Sequence, residues 1–414
     1  MCRLAQYSGA TAMPTPTDLF LRPGEERRLR GGHLWVFSNE VDVARSPLQA
    51  LQPGQDVLIR EHGGRPVGRG YANPHSLICA RLLSRSPDRG LDRSLLAQRL
   101  RQALELRARF YDQPYYRLVH GEADGLPGLV VDRFADIAVA QINTAGMERV
   151  RDDIVDALRQ VLSPAAILLR CDAAVRELEG LDRYATWVDG DGPESLEVRE
   201  NGACFRAPAL EGQKTGWYYD HRDNRARLLP LVAGRRVLDL YSYVGAWGIE
   251  AAVAGASEVL TVDASEAAAG WTGHNADLNG VADRVSIAQG DVMDVLAALR
   301  ADRERFDVVI ADPPAFIKRR RDHRNGLNAY RRLNQAALQV LAPGGLLVSA
   351  SCSAHLDEPE LLRVLLGAAR HLDRGLQVLG FGQQAPDHPV HPAIPETRYI
   401  KAVFCRQLAA DHLP

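Results

Sequence analysis

At 414 residues the chain exceeds one ordinary domain, and two or three are expected. With 46% hydrophobic and 25% charged residues it has a soluble globular composition; no apolar run is long enough to span a membrane, and Met1-Cys2-Arg3-Leu4-Ala5-Gln6 lacks a signal-peptide core, so a cytoplasmic protein is expected. The net charge is −2, yet residues 1–120 hold 18 Arg and no Lys against 11 acidic residues, an excess suited to phosphates and equally to an ordinary Arg-rich surface.

Residues 1–15 are small and polar and are expected to be disordered, with Met13 a second candidate start. Short strand-like runs then follow between Gly and Pro: His33–Phe37, Asp56–Arg60, Pro66–Tyr71 and Leu77–Leu82, a spacing that suits a small β-barrel over 16–88. Asp92 caps a predicted helix over Arg93–Tyr111, with Leu95, Leu96, Leu100 and Leu104 on one face. Strands are predicted at Tyr116–Val119, Leu129–Asp132, Ile137–Ile142 and Ala166–Arg170, with a helix over Met147–Leu162. They make a central α+β domain over 89–205, with the polar run 189–193 a loop or hairpin inside it. From 206 to 414 strands alternate with helices, the pattern of a doubly wound α/β domain on a parallel sheet.

Within that last unit Arg236–Leu240 is a strand running into Tyr241-Ser242-Tyr243-Val244-Gly245, which opens a helix. Glycine there lets the backbone approach a ligand at a helix N-terminus. A second strand ends at Asp263, 18 residues beyond Gly245 and suitably placed for ribose hydroxyls; a third ends at Gly290-Asp291, where Asp291 can meet an adenine amine. The G-x-G-x-x-G fingerprint of a dinucleotide is missing, since Tyr243 and Val244 stand where small residues are wanted. Asp239 at the strand end also suits a cationic ligand better than a pyrophosphate. S-adenosylmethionine, with an ammonium, a sulfonium and no phosphate, is therefore the expected cofactor.

Two further strands carry chemistry at their tips. Phe306–Ile310 leads to Asp312-Pro313-Pro314, whose prolines fix two φ angles and hold Asp312 in place; Gly345–Val348 leads to Cys352. The six cysteines (Cys2, Cys79, Cys171, Cys204, Cys352, Cys405) show no C-x-x-C spacing or Cys/His cluster, so neither disulfides nor a metal are expected. Cys352 beside Asp312 suits covalent methylation of a pyrimidine: a thiolate adds to carbon 6, and carbon 5 then becomes nucleophilic enough to take a methyl group. For cytosine, a carboxyl group at ring nitrogen 3 stabilises the charge formed, the role suited to Asp312. Enzymes that methylate amines usually carry an aromatic directly after the two prolines, where this chain has Ala315 before Phe316. Only Lys214, Lys318 and Lys401 are lysines among 50 basic residues, which marks them as positions where a compact ammonium can matter.

These residues resemble the bacterial 23S ribosomal RNA cytosine-5 methyltransferases of the RlmI type, over nearly the whole chain. The resemblance is carried by Gln213–Arg225, His120–Asp132, Asp312-Pro313-Pro314, Leu341–Leu347, Ser351-Cys352-Ser353, Asp387-His388-Pro389-Val390 and Tyr399-Ile400-Lys401. Trp35–Ser38 is similar to the family's N-terminal PUA domain, an RNA-binding β-barrel. The resemblance implies Cys352 as the nucleophile and Asp312 as its partner. It implies cofactor contacts at Asp239, Tyr241, Tyr243, Gly245, Asp263, Asp291, Asp312 and Pro313, and substrate contacts at Lys214, Thr215, Arg222, Phe316 and Lys318. Ala315 stands where some PUA-type RNA methyltransferases have a second cysteine, so one-cysteine chemistry is expected. Arg319, Arg320, Arg321, Arg324, Arg331 and Arg332 suit RNA phosphates or a solvated face, and Trp217, Tyr218 and Phe316 suit a flipped base or, for the first two, the core.

The expected function is thus formation of 5-methylcytidine in 23S ribosomal RNA, free or in a large-subunit assembly intermediate, with a homodimer left open. Uracil carbon 5, another RNA, or a catalytically inert RNA-binding protein are the alternatives.

Overall fold

The computed structural model describes residues 15–188 and 190–408. The disorder expected for 1–15 and the start at Met13 fall, Thr15 apart, outside the described residues, as do Cys2 and Asp189.

The N-terminal strands β1 (Thr17–Phe20), β2 (Trp35–Phe37), β3 (Gln55–Arg60), β4 (Pro66–Ala72) and β5 (Ile78–Ser84) form one sheet in the order β1-β3-β4-β5-β2. It encloses Leu19, Val36, Val57, Ile59, Ala80 and Leu82. Four arginines of this third turn inward. Arg69 pairs with Asp56, Arg81 with Glu179, Arg107 with Asp124 and Arg117 with Asp132, all four guanidinium groups buried.

Asp92 accepts from Leu95 N at 2.8 Å and starts a helix that ends at Arg107, four residues before the expected Tyr111. Pro114 disfavours helical geometry just ahead of it, and the chain turns into the next strand. The central sheet contains β6 (Tyr115–His120), β7 (Leu129–Phe134), β8 (Ile137–Ile142), β9 (Ala166–Cys171) and β10 (Tyr184–Trp187), in the order β10-β9-β8-β7-β6. A hairpin, β11 (Ser195–Glu200) and β12 (Ala203–Pro208), follows it. The boundary expected between 205 and 206 falls inside β12. Leu196, Val198, Phe205 and Ala207 share one core with Phe134, Val139 and Leu168 of the central sheet and with Trp247 and Ile249 of the C-terminal unit, so the hairpin joins the two. Its backbone is held there by Asn279 Oδ1 on Cys204 N at 2.9 Å and Asn275 Oδ1 on Arg206 N at 2.7 Å.

The C-terminal sheet contains β13 (Arg236–Leu240), β14 (Glu258–Asp263), β15 (Val285–Gln289), β16 (Phe306–Ala311), β17 (Leu341–Ser351), β18 (Gly375–Gly382) and β19 (Lys401–Leu408). Their order is β15-β14-β13-β16-β17-β19-β18, parallel except for β19, which runs antiparallel between β17 and β18. Successive side chains feed opposite faces, as strand geometry requires. Val237, Val308 and Ile310 join Trp247 and Ala276 on one face; Leu238, Val309 and Leu347 join Leu296, Tyr330 and Leu361 on the other. β17 begins at Leu341 rather than Gly345, and the expected turn survives as a shift in pairing from Phe306↔Leu341 to Val308↔Leu346. The strand order reverses between β14 and β16 on either side of β13, which places the ligand crevice at the carboxyl ends of these strands.

The segment between β12 and β13 is fastened by buried charge. Glu200 accepts from Arg225 Nε at 2.7 Å, Arg222 Nε at 3.2 Å and Trp217 Nε1 at 3.1 Å. Burial opposes its ionisation, but Arg225 and Arg222 overcome it and hold the carboxyl below its ordinary range. Burial and Glu200 push the neighbouring Glu250 carboxyl well up. Glu200→Ala leaves two buried guanidinium groups without their main partner and is expected to cost about 3–5 kcal/mol, read as a lower urea midpoint in equilibrium unfolding.

Candidate active site

The loop after β13 has an unusual backbone. Tyr241 (φ +63), Tyr243 (φ +50) and Gly245 (φ +87) all adopt left-handed geometry, which non-glycine residues hold only where the surroundings enforce it. Here Asp263 Oδ2 accepts from Tyr243 N at 2.9 Å, Thr272 Oγ1 donates to Tyr243 O at 3.0 Å and Asn275 Nδ2 donates to Val244 O at 3.0 Å. A Cβ on Gly245 would lie 2.9 Å from Thr272 Cγ2, and one on Gly248 would lie 2.8 Å from Thr261 Cγ2. Asp239 lies beneath this loop, fully buried. Its Oδ2 accepts from Gly248 N at 2.9 Å, and its Oδ1 has no partner among the described residues. Burial, then Asp312 and Asp263, push the Asp239 carboxyl up to about 8.

Asp312 and Cys352 meet at the next two strand ends, which pair in parallel with Ala311 opposite Ser349. Trp247 Nε1 donates to Asp312 Oδ2 at 3.1 Å. On the other side His221 Nε2 lies 3.4 Å from Oδ1; His221 Nδ1 faces the Asn224 amide nitrogen at 3.0 Å, which leaves the ring proton on Nε2. Cys352 is half-buried between Ser351 and Ser353, whose hydroxyls both bond the Tyr330 hydroxyl, at 2.8 and 2.9 Å. Burial pushes the Cys352 thiol up; Lys214 pulls it down, while Asp312 and Asp220 add to the rise.

Opposite these strand ends lies the segment 213–221. Lys214 (φ +49) has its ammonium 4.2 Å from the Tyr218 ring centre and 3.5 Å from Asp220 Oδ2. Asp220 is buried and also accepts from the Tyr399 hydroxyl at 2.8 Å. Burial opposes its charge, but Lys214, His388 and His221 hold it well below the usual carboxylate range.

Residues 152–403 match the S-adenosylmethionine-dependent methyltransferase family model, and residues 19–85 match the PUA-like domain model. The chain belongs to this methyltransferase family. It is 37% identical over 393 residues to the ribosomal RNA large subunit methyltransferase I of Serratia proteamaculans, covering 94% of this chain and 98% of that protein. It is 36% identical over 393 residues to the protein of that name from Erwinia tasmaniensis, with the same coverage. Two solved structures share the fold, each covering 94% of this chain and all of the other. One, assigned as a SAM-dependent methyltransferase of Streptococcus mutans, has a TM-score of 0.79 at 20% identity; the other, SMU.776 complexed with SAH, has 0.80 at 21%.

The cofactor of this methyltransferase is S-adenosylmethionine, and the residues present fit it. A buried carboxylate oxygen without a partner and two further carboxylates around one loop suit a cation and would repel a pyrophosphate. Among the expected contacts, Asp239, Gly245, Asp263 and Asp312 converge on the strand ends. Asp291 caps the helix Val292–Ala301 through Met293 N at 2.8 Å and keeps an exposed edge. Tyr241 is half-buried, and burial and then Asp291 push its hydroxyl up to about 12; Pro313 is buried behind Asp312. The Tyr243 hydroxyl turns away to the 213–216 turn, bonding Gln213 N at 3.1 Å and Gly216 O at 3.2 Å.

Two expected substrate contacts are corrected. Thr215 is buried with its hydroxyl on Asp132 of the central sheet, and Arg222 is committed to Glu200, Tyr115 O and the rings of Tyr111 and Tyr219 at 4.5 and 5.1 Å. Neither retains a free donor surface. Lys214 lines the cleft and Lys318 is exposed beyond the two prolines; Phe316 leans on Tyr330 with ring centres 4.8 Å apart. Trp217 is core, packed on Phe205 at 4.7 Å, whereas the Tyr218 hydroxyl feels Cys352 and Asp312 and so borders the cleft. Sequence reasoning had no role for His221, Trp247, Asp220 or Tyr399. His221, Asp220 and Tyr399 lie inside segments already singled out, and Trp247 two residues beyond Gly245, but their direction depends on the fold.

Asp263→Ala is expected to raise the dissociation constant of S-adenosylmethionine at least about tenfold by calorimetric titration, since two ribose hydrogen bonds are lost. Asp239 must shed its proton to accept a cation. Binding should therefore tighten as pH rises from 7 toward 8 and level off above, and the difference between wild type and Asp239→Asn isolates this effect.

Proposed function

We propose that this protein methylates carbon 5 of a cytidine in 23S ribosomal RNA through a covalent bond between Cys352 and carbon 6 of the base. The observation that carries the reading is the convergence of Cys352 and Asp312 on the crevice beside Asp239 and Asp263. The substrate class is taken from the relatives named ribosomal RNA large subunit methyltransferase I.

In this reading the Cys352 thiolate adds to carbon 6, forming a carbon–sulfur bond and moving the ring double-bond electrons toward nitrogen 3. A proton shared between Asp312 and nitrogen 3 offsets that charge, with the Trp247 N–H holding one carboxyl oxygen in place and His221 Nε2 lying 3.4 Å from the other. Bound S-adenosylmethionine would supply an electrophilic methyl group to carbon 5, its sulfur–methyl bond breaking to leave S-adenosylhomocysteine. A base then removes the proton from carbon 5, the ring double bond re-forms and the thiolate departs. No second cysteine follows the two prolines, so release depends on proton removal alone. Lys214, Phe316 and Lys318 face the incoming nucleotide, while exposed Arg319, Arg320, Arg321 and Arg324 meet its phosphates. The base leaves its stack to reach the thiol, and Tyr218 or Phe316 supplies a face for it. The PUA-like barrel adds an RNA-binding surface, and the activity belongs to the cytoplasm, on free RNA or a subunit intermediate.

Mass-spectrometric mapping of ribosomal RNA from a strain lacking the protein should show one 5-methylcytidine missing from 23S RNA. An unchanged map overturns the reading, and loss of a 5-methyluridine moves it to the uracil alternative. Cys352→Ala should bind cofactor as wild type does, yield no product, and fail to form the denaturant-stable adduct that 5-fluorocytidine RNA forms with wild type.

A further inference from the structure

Lys401 is a buried cation without a carboxylate. It opens β19, where it pairs across the sheet with Ser351, and its ammonium donates to Ser353 O at 2.6 Å, so it is bound to the residues on either side of Cys352. Its side chain is 5% exposed, and no acidic group among the described residues comes within 4.0 Å of it. An ammonium needs hydrogen bonds or a counter-charge to remain in such a place, and a single carbonyl satisfies only one of its three donors. The remaining charges that act on it are Cys352, Arg398 and Asp357.

Cys352 has the complementary deficit. Around it stand two carboxylates, Asp312 and Asp220, the hydroxyls of Tyr218 and Tyr330, and Lys214. Lys214 is already engaged, 3.5 Å from Asp220 Oδ2 and over the Tyr218 ring, so its charge is shared before the thiol can use it. A nucleophilic cysteine acts as the thiolate, and burial beside two carboxylates works against that form. Both basic side chains that border this thiol are lysines, in a chain that uses lysine at only three of 50 basic positions.

We propose that the Lys401 ammonium is the counter-ion of the Cys352 thiolate. Lys401 acts through Cys352 and not on the substrate, so it is a positioning residue; the inference rests on Cys352 acting as nucleophile. Each group satisfies what the other lacks: the thiolate gives the buried ammonium its missing negative partner, and the ammonium offsets Asp312 and Asp220. Burial and, less, Arg398 pull Lys401 down while Cys352 and Asp357 raise it; it comes to about 8 and still carries its charge at neutral pH, where the thiolate is needed.

The test follows alkylation of Cys352 by iodoacetamide against pH, read by peptide mass spectrometry on the full-length protein without RNA. The thiolate displaces iodide, so the rate reports the thiolate fraction. Lys401→Met should slow alkylation of Cys352 about tenfold at neutral pH, a midpoint about one unit higher, and Lys401→Arg should bring the curve back toward wild type. Coincident wild-type and Lys401→Met curves overturn the proposal.

If Lys401→Met does not fold, the reciprocal measurement decides. Cys352→Ala removes the anion, so acetic anhydride should acetylate Lys401 several-fold faster than in wild type at alkaline pH. Equal rates overturn the pairing. Neither readout involves methyl transfer, so an active Cys352→Ala enzyme would sink the nucleophile reading by a separate result.

Discussion

A fully buried carboxylate at the end of β11, Glu200, takes hydrogen bonds from Arg225, Arg222 and Trp217, three residues of one short segment that begins at Gln213. Such a cluster cannot be loosened at one point, because any partner withdrawn leaves charge in a medium that does not solvate it. The same segment carries, on its other side, Lys214, Tyr218, Asp220 and His221, the residues that border Cys352 and Asp312. The wall of the cleft is thus positioned by an ion cluster on its far side. That is why Arg222, which reads like a ligand for RNA, is used as a fastening.

The cleft itself is assembled by three bodies of chain. The C-terminal sheet supplies Asp239, Asp263, Asp312 and Cys352 from strand ends; the 213–225 segment supplies one wall; and the loop before β19 supplies Tyr399 and leads to Lys401. Asp387 and His388 in that loop tie it to the central domain: Asp387 Oδ2 accepts from Arg117 N at 2.9 Å, and Asp387 O accepts from Arg107 at 2.8 Å. Burial pushes the Asp387 carboxyl up to about 6 against the pull of Arg222 and Arg117. Four carboxylates facing two ammonium groups make the crevice a place that favours cations. That sign of charge suits a sulfonium donor and places a premium on any group that can stabilise a thiolate.

Much of this was legible before any coordinates. The apolar runs of β13, β16 and β17 and the acidic residue near the end of β13, at the end of β14 and just after β16 follow from strand periodicity and from the need for charge at a crevice. The meeting of Asp312 with Cys352 follows too, because consecutive strand ends in a parallel sheet open onto one crevice. What resisted reading were residues whose chemistry suits two fates. Thr215 and Arg222 have donors that serve RNA or a buried acid equally well; Arg107 and Arg117 count toward a basic surface until their carboxylates are found. The end expected for the central domain, about residue 205, falls within β12, whose hairpin shares a core with both the central and the C-terminal sheets.

The sequence by itself determined the PUA-like barrel, the methyltransferase sheet after it and the methyl donor, since each depends on local patterning or on spacing along one strand. Only the tertiary structure decided which charges neutralise one another. Glu200 finds Arg225 and Arg222, Asp132 finds Arg117, Asp220 finds Lys214, and Lys401 is left beside Cys352. Pairing of this kind depends on distance and burial between segments far apart in the chain, and neither is written in the order of residues.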